Sequence, residues 1–150
     1  MKKILLIICA SLIISANVSA KELTQQQNQK IQSEITTAMT KSVKCWNNGD
    51  LECFMDGYVN SDKTLFISGD KFIYGWQNSY DHYKKKYGDD KKGMGHLQIT
   101  VEDINPIDNT HAYLTGKWHL TTENKKYNGV TSLIFEKTGK KWQIILDHSN

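Results

Sequence analysis

The chain closes on KWQIILDHSN, Lys141 to Asn150, where alternating apolar residues run straight into Asp147, His148 and Ser149. A carboxylate, an imidazole and a hydroxyl are the parts of a nucleophilic triad. Consecutive strand residues, however, point to opposite faces of a sheet. Asp147 and Ser149 share one face and His148 takes the other, so the three cannot serve as nucleophile, base and orienting group within one strand. What remains is a carboxylate beside a hydroxyl, either on the rim of a ligand pocket or as a hydrogen-bonded cap. Trp142, Ile144, Leu146 and His148 form one alternating set, and Gln143, Ile145, Asp147 and Ser149 form the other. Apolarity favours the first set for a buried face. The other histidines, His82, His96, His111 and His119, show no H-E-x-x-H and no tight His/Cys spacing, so neither a metal nor another cofactor is implied.

The elements that must position these residues follow from periodicity. Ile31, Ile35, Met39, Val43 and Trp46 form one helical stripe, and Thr24 with Gln27 reads as a capping box. This predicts a long amphipathic helix ending near Asn48. A short second helix runs from Asp50 to about Tyr58, with Leu51, Phe54, Met55 and Tyr58 inward. KTLFIS and GDKFIYG read as two short strands. Trp76, Tyr80, Tyr83 and Tyr87 recur at helical steps, closed by Gly88, and GDDKKGMG reads as a polar loop. From Met94 onward four long strands follow, the last three joined by short turns as sequential hairpins. The order helix, helix, two strands, helix, four strands predicts an α+β domain. Its curved antiparallel sheet wraps the N-terminal helix and encloses a cone-shaped hollow.

Before this domain lies MKKILLIICASLIISANVSA, with Lys2 and Lys3, an apolar run, and small residues at Val18-Ser19-Ala20. This predicts a signal peptide over residues 1–20, cleaved after Ala20, and an exported periplasmic or secreted domain over 21–150. The apolar run is shorter than the ~20 residues a membrane-spanning helix needs, so no membrane association is expected after its removal. Taking away Lys2 and Lys3 leaves 17 lysines against 16 acidic residues, with no arginine anywhere. A near-neutral domain without the bidentate guanidinium fork offers no electrostatic case for nucleic acid. Cys45 and Cys53, in CWNNGDLEC, flank a helix stop at Asn47-Asn48-Gly49 and an N-cap at Asp50. In an oxidising compartment they are candidates for a disulfide. Two buried thiols packed between the helices is an equal reading.

The motifs CWNNGDLECFMDGYV, FIYGWQNSYDHYKKKY, AYLTGKWHL and GKKWQIILDHSN, in this order, resemble the SnoaL-like families of the nuclear-transport-factor-2-like superfamily, over about Ile31 to Asn150. The resemblance implies the same cone and a homodimer through its outer sheet face. It does not fix a function, because one fold hosts many chemistries. The association domain of calcium/calmodulin-dependent protein kinase is similar in layout, which implies that Asp147 and Ser149 face the cavity. Lys117 takes the place of one pocket arginine of that domain, and Leu133 the place of the other, so its carboxylate site is not reproduced. Isomerase or cyclase chemistry would require a base, Asp147 first and His119 next, with Tyr58, Trp76, Tyr80 and Trp118 as walls or donor. The reading preferred here is non-catalytic binding of a small, partly apolar ligand in the cone. The alternatives are a proton-transfer enzyme, marked by Asp147 buried beside a tyrosine donor, and an interaction module with a filled core. Protein recovered from the periplasm or medium is expected to begin at Lys21 on N-terminal sequencing. An exported fraction still carrying Met1 would contradict the leader.

Overall fold

The computed structural model describes residues 22–150; the expected leader, residues 1–20, lies outside them. Helix α1 spans Gln25–Asn47 and is about 34 Å long at 1.5 Å per residue. Its capping box forms as the sequence predicts: the Gln27 N–H donates to Thr24 Oγ1 at 3.2 Å, and the Thr24 N–H donates to Gln27 Oε1 at 2.9 Å. Ile31, Ile35, Met39 and Trp46 are buried along one face, joined by Ser42 and Cys45; Val43 packs at the edge of the core.

The chain reverses at Gly49, whose φ is +75°. A β-carbon here would meet Lys91 N at 2.1 Å, so the turn needs glycine both for its conformation and for its closeness to neighbouring backbone. Asp50 then caps helix α2, Leu51–Met55, accepting from the Cys53 N–H at 2.9 Å. This helix is shorter than the sequence suggests, because residues 57–59 leave it to run beside the last strand. Cys45 and Cys53 are bonded across the turn, with Cα atoms 5.5 Å apart.

Strands β1 (Leu65–Ser68) and β2 (Lys71–Tyr74) form a hairpin, followed by helix α3 (Trp76–Tyr87). A one-turn helix, α4 (Lys91–Met94), replaces the expected polar loop. The Asp90 carboxylate caps it by accepting from the Gly93 N–H at 2.7 Å, and Met94 is fully buried. Strands β3 (His96–Pro106), β4 (His111–Thr121), β5 (Lys126–Thr138) and β6 (Lys141–Ser149) complete one six-stranded sheet in the order β2-β1-β6-β5-β4-β3. The expectation of a wholly antiparallel sheet needs one correction: β1 lies parallel to β6, Phe66 opposite Asp147. Parallel neighbours require a long crossover, which everything between these two strands supplies.

Two irregularities curl the sheet. In β3 the register with β4 shifts between Val101 and Asp103. In β6 the register with β5 passes from Phe135↔Ile144 to Ile134↔Leu146, leaving Ile145 as an extra residue. Such bulges bend and twist a strand. Helix α1 crosses the inner face against β3 and the start of β6. Glu34 latches it to the β5–β6 hairpin, accepting from Lys137 Nζ at 2.9 Å and from Trp142 Nε1 at 2.7 Å. Replacing Cys45 and Cys53 together by alanine is expected to reduce stability by about 2–3 kcal/mol on the chain-entropy estimate. The corresponding fall in Tm is about 5–15 °C, and a double variant melting within about 2 °C of the parent would show that the bond contributes nothing.

Candidate functional site

The bulge at Ile145 decides what faces the hollow. Before it Trp142 and Ile144 are buried; after it the phase of alternation flips, and Asp147 is buried with Ser149 beside it while His148 is exposed. Neither alternating set of the sequence is therefore continuous on one face: the apolar half of one set and the polar half of the other both point inward. Ile144, Asp147 and Ser149 line a chamber of about 100 Å³ between α1, α3 and the sheet. That is smaller than a cavity of ~150 Å³, which accommodates benzene.

Tyr58 reaches the same chamber because its segment is stitched to β6. The Ile144 N–H donates to Gly57 O at 2.8 Å, and the Val59 N–H donates to Ile144 O at 2.9 Å. The Tyr58 hydroxyl then donates to Asp147 Oδ2 at 2.7 Å, and the Ser149 hydroxyl to Asp147 Oδ1 at 2.5 Å. Thr131 Oγ1 lies 2.9 Å from Ser149 Oγ and supplies the proton in that contact, since the serine proton is already given to Asp147. Asp147 is 4 % exposed. Burial pushes its carboxyl above the ordinary 3.8, opposed by the hydrogen bonds from Ser149 and Tyr58. Burial and the Asp147 charge push the phenols of Tyr58 and Tyr83 well above 10. His82, also on the chamber wall, is held below 6.5 by partial burial and by the nearby Lys86, Lys71 and Lys85.

Trp118 lines the opposite wall, and its indole Nε1 is buried with no hydrogen-bond partner among the described residues. It lies over Gly129, where a β-carbon would come within 3.0 Å of the ring and 1.6 Å of Asn150 O. Of the residues singled out from sequence, Asp147, Ser149, Tyr58 and Trp118 thus surround one space. Four others do not. Lys117 and His119 project from the opposite face of β4, Lys117 pairing with Glu102 at 3.0 Å. They alternate with Trp118 and Leu120, which face inward. Trp76 stacks on Tyr80 and donates from Nε1 to Met55 O at 2.9 Å. The N-terminal half of α3 is spent on packing against α2, and only its C-terminal half, with His82, Tyr83 and Tyr87, lies over the chamber. Trp46, Phe54, Phe66, Tyr83 and Tyr87 line the space without having been singled out for it. Trp46, Phe54, Tyr83 and Tyr87 had shown themselves as members of helical stripes, but periodicity does not say which members of a stripe reach a hollow.

A long helix across a curled sheet, with a side-chain-lined chamber between them, defines a nuclear-transport-factor-2-like cone. No family model and no curated protein matches the sequence. Among solved structures, an NTF-2-like protein of unknown function from Shewanella oneidensis MR-1 is 34% identical, over 79% of this chain and 98% of that one, with a TM-score of 0.76. An NTF2-like superfamily protein from Salmonella enterica is 17% identical over 81% and 91% of the two chains, TM-score 0.65. A ketosteroid isomerase-like protein from Erwinia carotovora atroseptica is 12% identical over 78% and 92%, TM-score 0.59. The chain belongs to the nuclear-transport-factor-2-like family; the two more distant likenesses establish the shared fold alone.

The site makes a pH prediction. Folding holds the Asp147 proton more tightly than the unfolded chain does. The penalty for burying its charge is absent below the ordinary 3.8, grows as pH rises through the elevated folded value, and then stays constant. Asp147→Asn removes that penalty. The Tm of the parent minus that of the variant is therefore expected to rise as pH falls from 7 toward 4. A difference that stays flat over that range would contradict an elevated Asp147.

Proposed function

We propose that the protein binds a small, partly apolar molecule in the cone, its polar group meeting the chamber's few polar atoms. The observation that carries this is an aromatic-lined chamber with a buried carboxylate, Asp147, on its wall. Pockets of this type, mostly apolar with a few convergent polar groups, are the usual form of small-molecule sites. The chamber also counts against an interaction module with a filled core. Its volume, about two-thirds of a cavity that holds benzene, argues for a ligand with about four heavy atoms inside, any remainder lying in the mouth.

A second reading, proton-transfer catalysis, draws on Asp147 being buried beside Tyr58. Tyr58 already gives its proton to Asp147, so it is not aimed at a developing enolate, and binding is preferred. Catalysis would gain if the α-protons of cyclohexanone exchanged with deuterated water in the presence of the parent and not of Asp147→Asn.

Export to an oxidising compartment fits the leader-like opening residues and the Cys45–Cys53 bond. Pairing of two copies through the outer sheet face fits the exposure of Tyr113 and Val130 there. For the binding reading, native mass spectrometry of freshly purified protein is expected to show an added small mass. That mass should be absent from Ile99→Phe, which fills the chamber wall. Protein without added mass that also fails to take up benzyl alcohol would sink the reading.

A further inference from the structure

The chamber's charges are separated along its depth. Inside lies Asp147, buried, its two partners both neutral hydroxyls. Among the described residues no lysine or histidine pairs with it within 4.0 Å. A carboxylate in low dielectric needs either a proton or a countercharge. Lining the same chamber are the cationic chain of Lys86, exposed to solvent, and the half-buried His82 with Lys71 and Lys85 near it. Trp118 lines the same space, its indole N–H closed to solvent and without a partner among the described residues. The walls are aromatic: around Trp46, the rings of Phe54, Tyr83 and Tyr87 stand at 73–78° with centroids 4.9–5.8 Å away. Aromatic faces attract a cation.

Resting on the ligand-binding reading above, we infer that the ligand is a small betaine, a quaternary ammonium joined by a short linker to a carboxylate, with its ammonium end inward. The inner end must carry positive charge to complement Asp147. It is quaternary and not primary, because Tyr58 and Ser149 occupy two of the carboxylate's about four acceptor sites, leaving too few for three ammonium donors. A primary ammonium brings three donors that need acceptors, while a trimethylammonium brings none and is met by carboxylate charge and ring faces. The outer end must carry negative charge, to meet the Lys86 side. A trimethylammonium head has four heavy atoms, within what the chamber holds on the comparison with benzene.

Glycine betaine is the probe, with two controls of matching shape. 3,3-Dimethylbutanoate replaces the ammonium nitrogen by carbon, and choline replaces the carboxylate by a hydroxymethyl group. Binding is read by NMR from the indole N–H resonances of Trp46, Trp76, Trp118 and Trp142. Glycine betaine is expected to move the Trp118 signal saturably and to leave Trp76 and Trp142 in place. Each control should bind at least tenfold more weakly. Asp147→Asn should weaken glycine betaine at least tenfold while leaving 3,3-dimethylbutanoate unweakened. Lys86→Ala, at a solvent-exposed position, should weaken glycine betaine and not choline, and keeps the test available should Asp147→Asn misfold. If 3,3-dimethylbutanoate binds as tightly as glycine betaine, the betaine assignment is overturned and the binding reading stands. If glycine betaine fails to move Trp118 while the purified protein carries another small mass, the assignment is overturned and the binding reading again stands. If no probe moves Trp118 and no mass is carried, both fall.

Discussion

A carboxylate inside an apolar cone is the constraint around which the rest of this molecule is arranged. Asp147 is almost wholly removed from the protein surface, and without replacement hydrogen bonds its charge would destabilise the fold. Tyr58 and Ser149 supply those bonds. Each arrives by a separate structural route: Tyr58 because residues 57–59 leave α2 to run alongside β6, Ser149 because it is two residues on along the same strand. Thr131 extends the chain of hydroxyls onto β5. The aromatic walls make this small polar group consequential, since low dielectric strengthens every electrostatic interaction within them.

Around this centre the framework is held from outside. The capping box fixes the start of α1, the disulfide and the Gly49 turn fix its end, and Glu34 ties its middle to the β5–β6 hairpin. Opposite charges on Lys41, Asp56 and Lys141 tie α1 and the end of α2 to the start of β6. These exposed ion pairs are individually weak. Their position matters more than their strength, for they lie on the outside, and among the described residues no lysine or histidine pairs with Asp147.

Much of the fold was legible in the sequence because its signals are local and periodic. The stripe of α1, the Thr24–Gln27 box, the Asp50 cap and the hairpins from Met94 onward all depend on neighbours a few residues away. The parallel contact of β1 with β6 was not legible, being a pairing across most of the chain. The one-turn helix at Lys91–Met94 was hidden by its two lysines and a glycine, which carry weak helical signal. In the site, Asp147, Ser149, Tyr58 and Trp118 were legible as residue types near strand or helix ends. Lys117 and His119 were misassigned because a likeness to another domain set the face, where the alternation with Trp118 and Leu120 would have placed them outside. Trp76 and Tyr80 were misassigned because a helical stripe gives a face and not a depth. The unsatisfied state of Trp118 Nε1 has no signal in sequence at all.

The single surplus residue at Ile145 is what lets β6 turn both Ile144 and Asp147, three positions apart, toward the chamber. Exchanging one aliphatic side chain for another in this stretch leaves the inward and outward assignments intact. Losing one residue between Ile144 and Leu146 would restore an unbroken pleat with Ile144, Asp147 and Ser149 still turned inward; straightening the strand at its present length would instead put Asp147 and Ser149 on the solvent side and turn His148 toward the rings. Among descendants of such a gene, an in-frame codon deletion at this one place would keep the residues that face the chamber and remove only the kink that bends the strand around it.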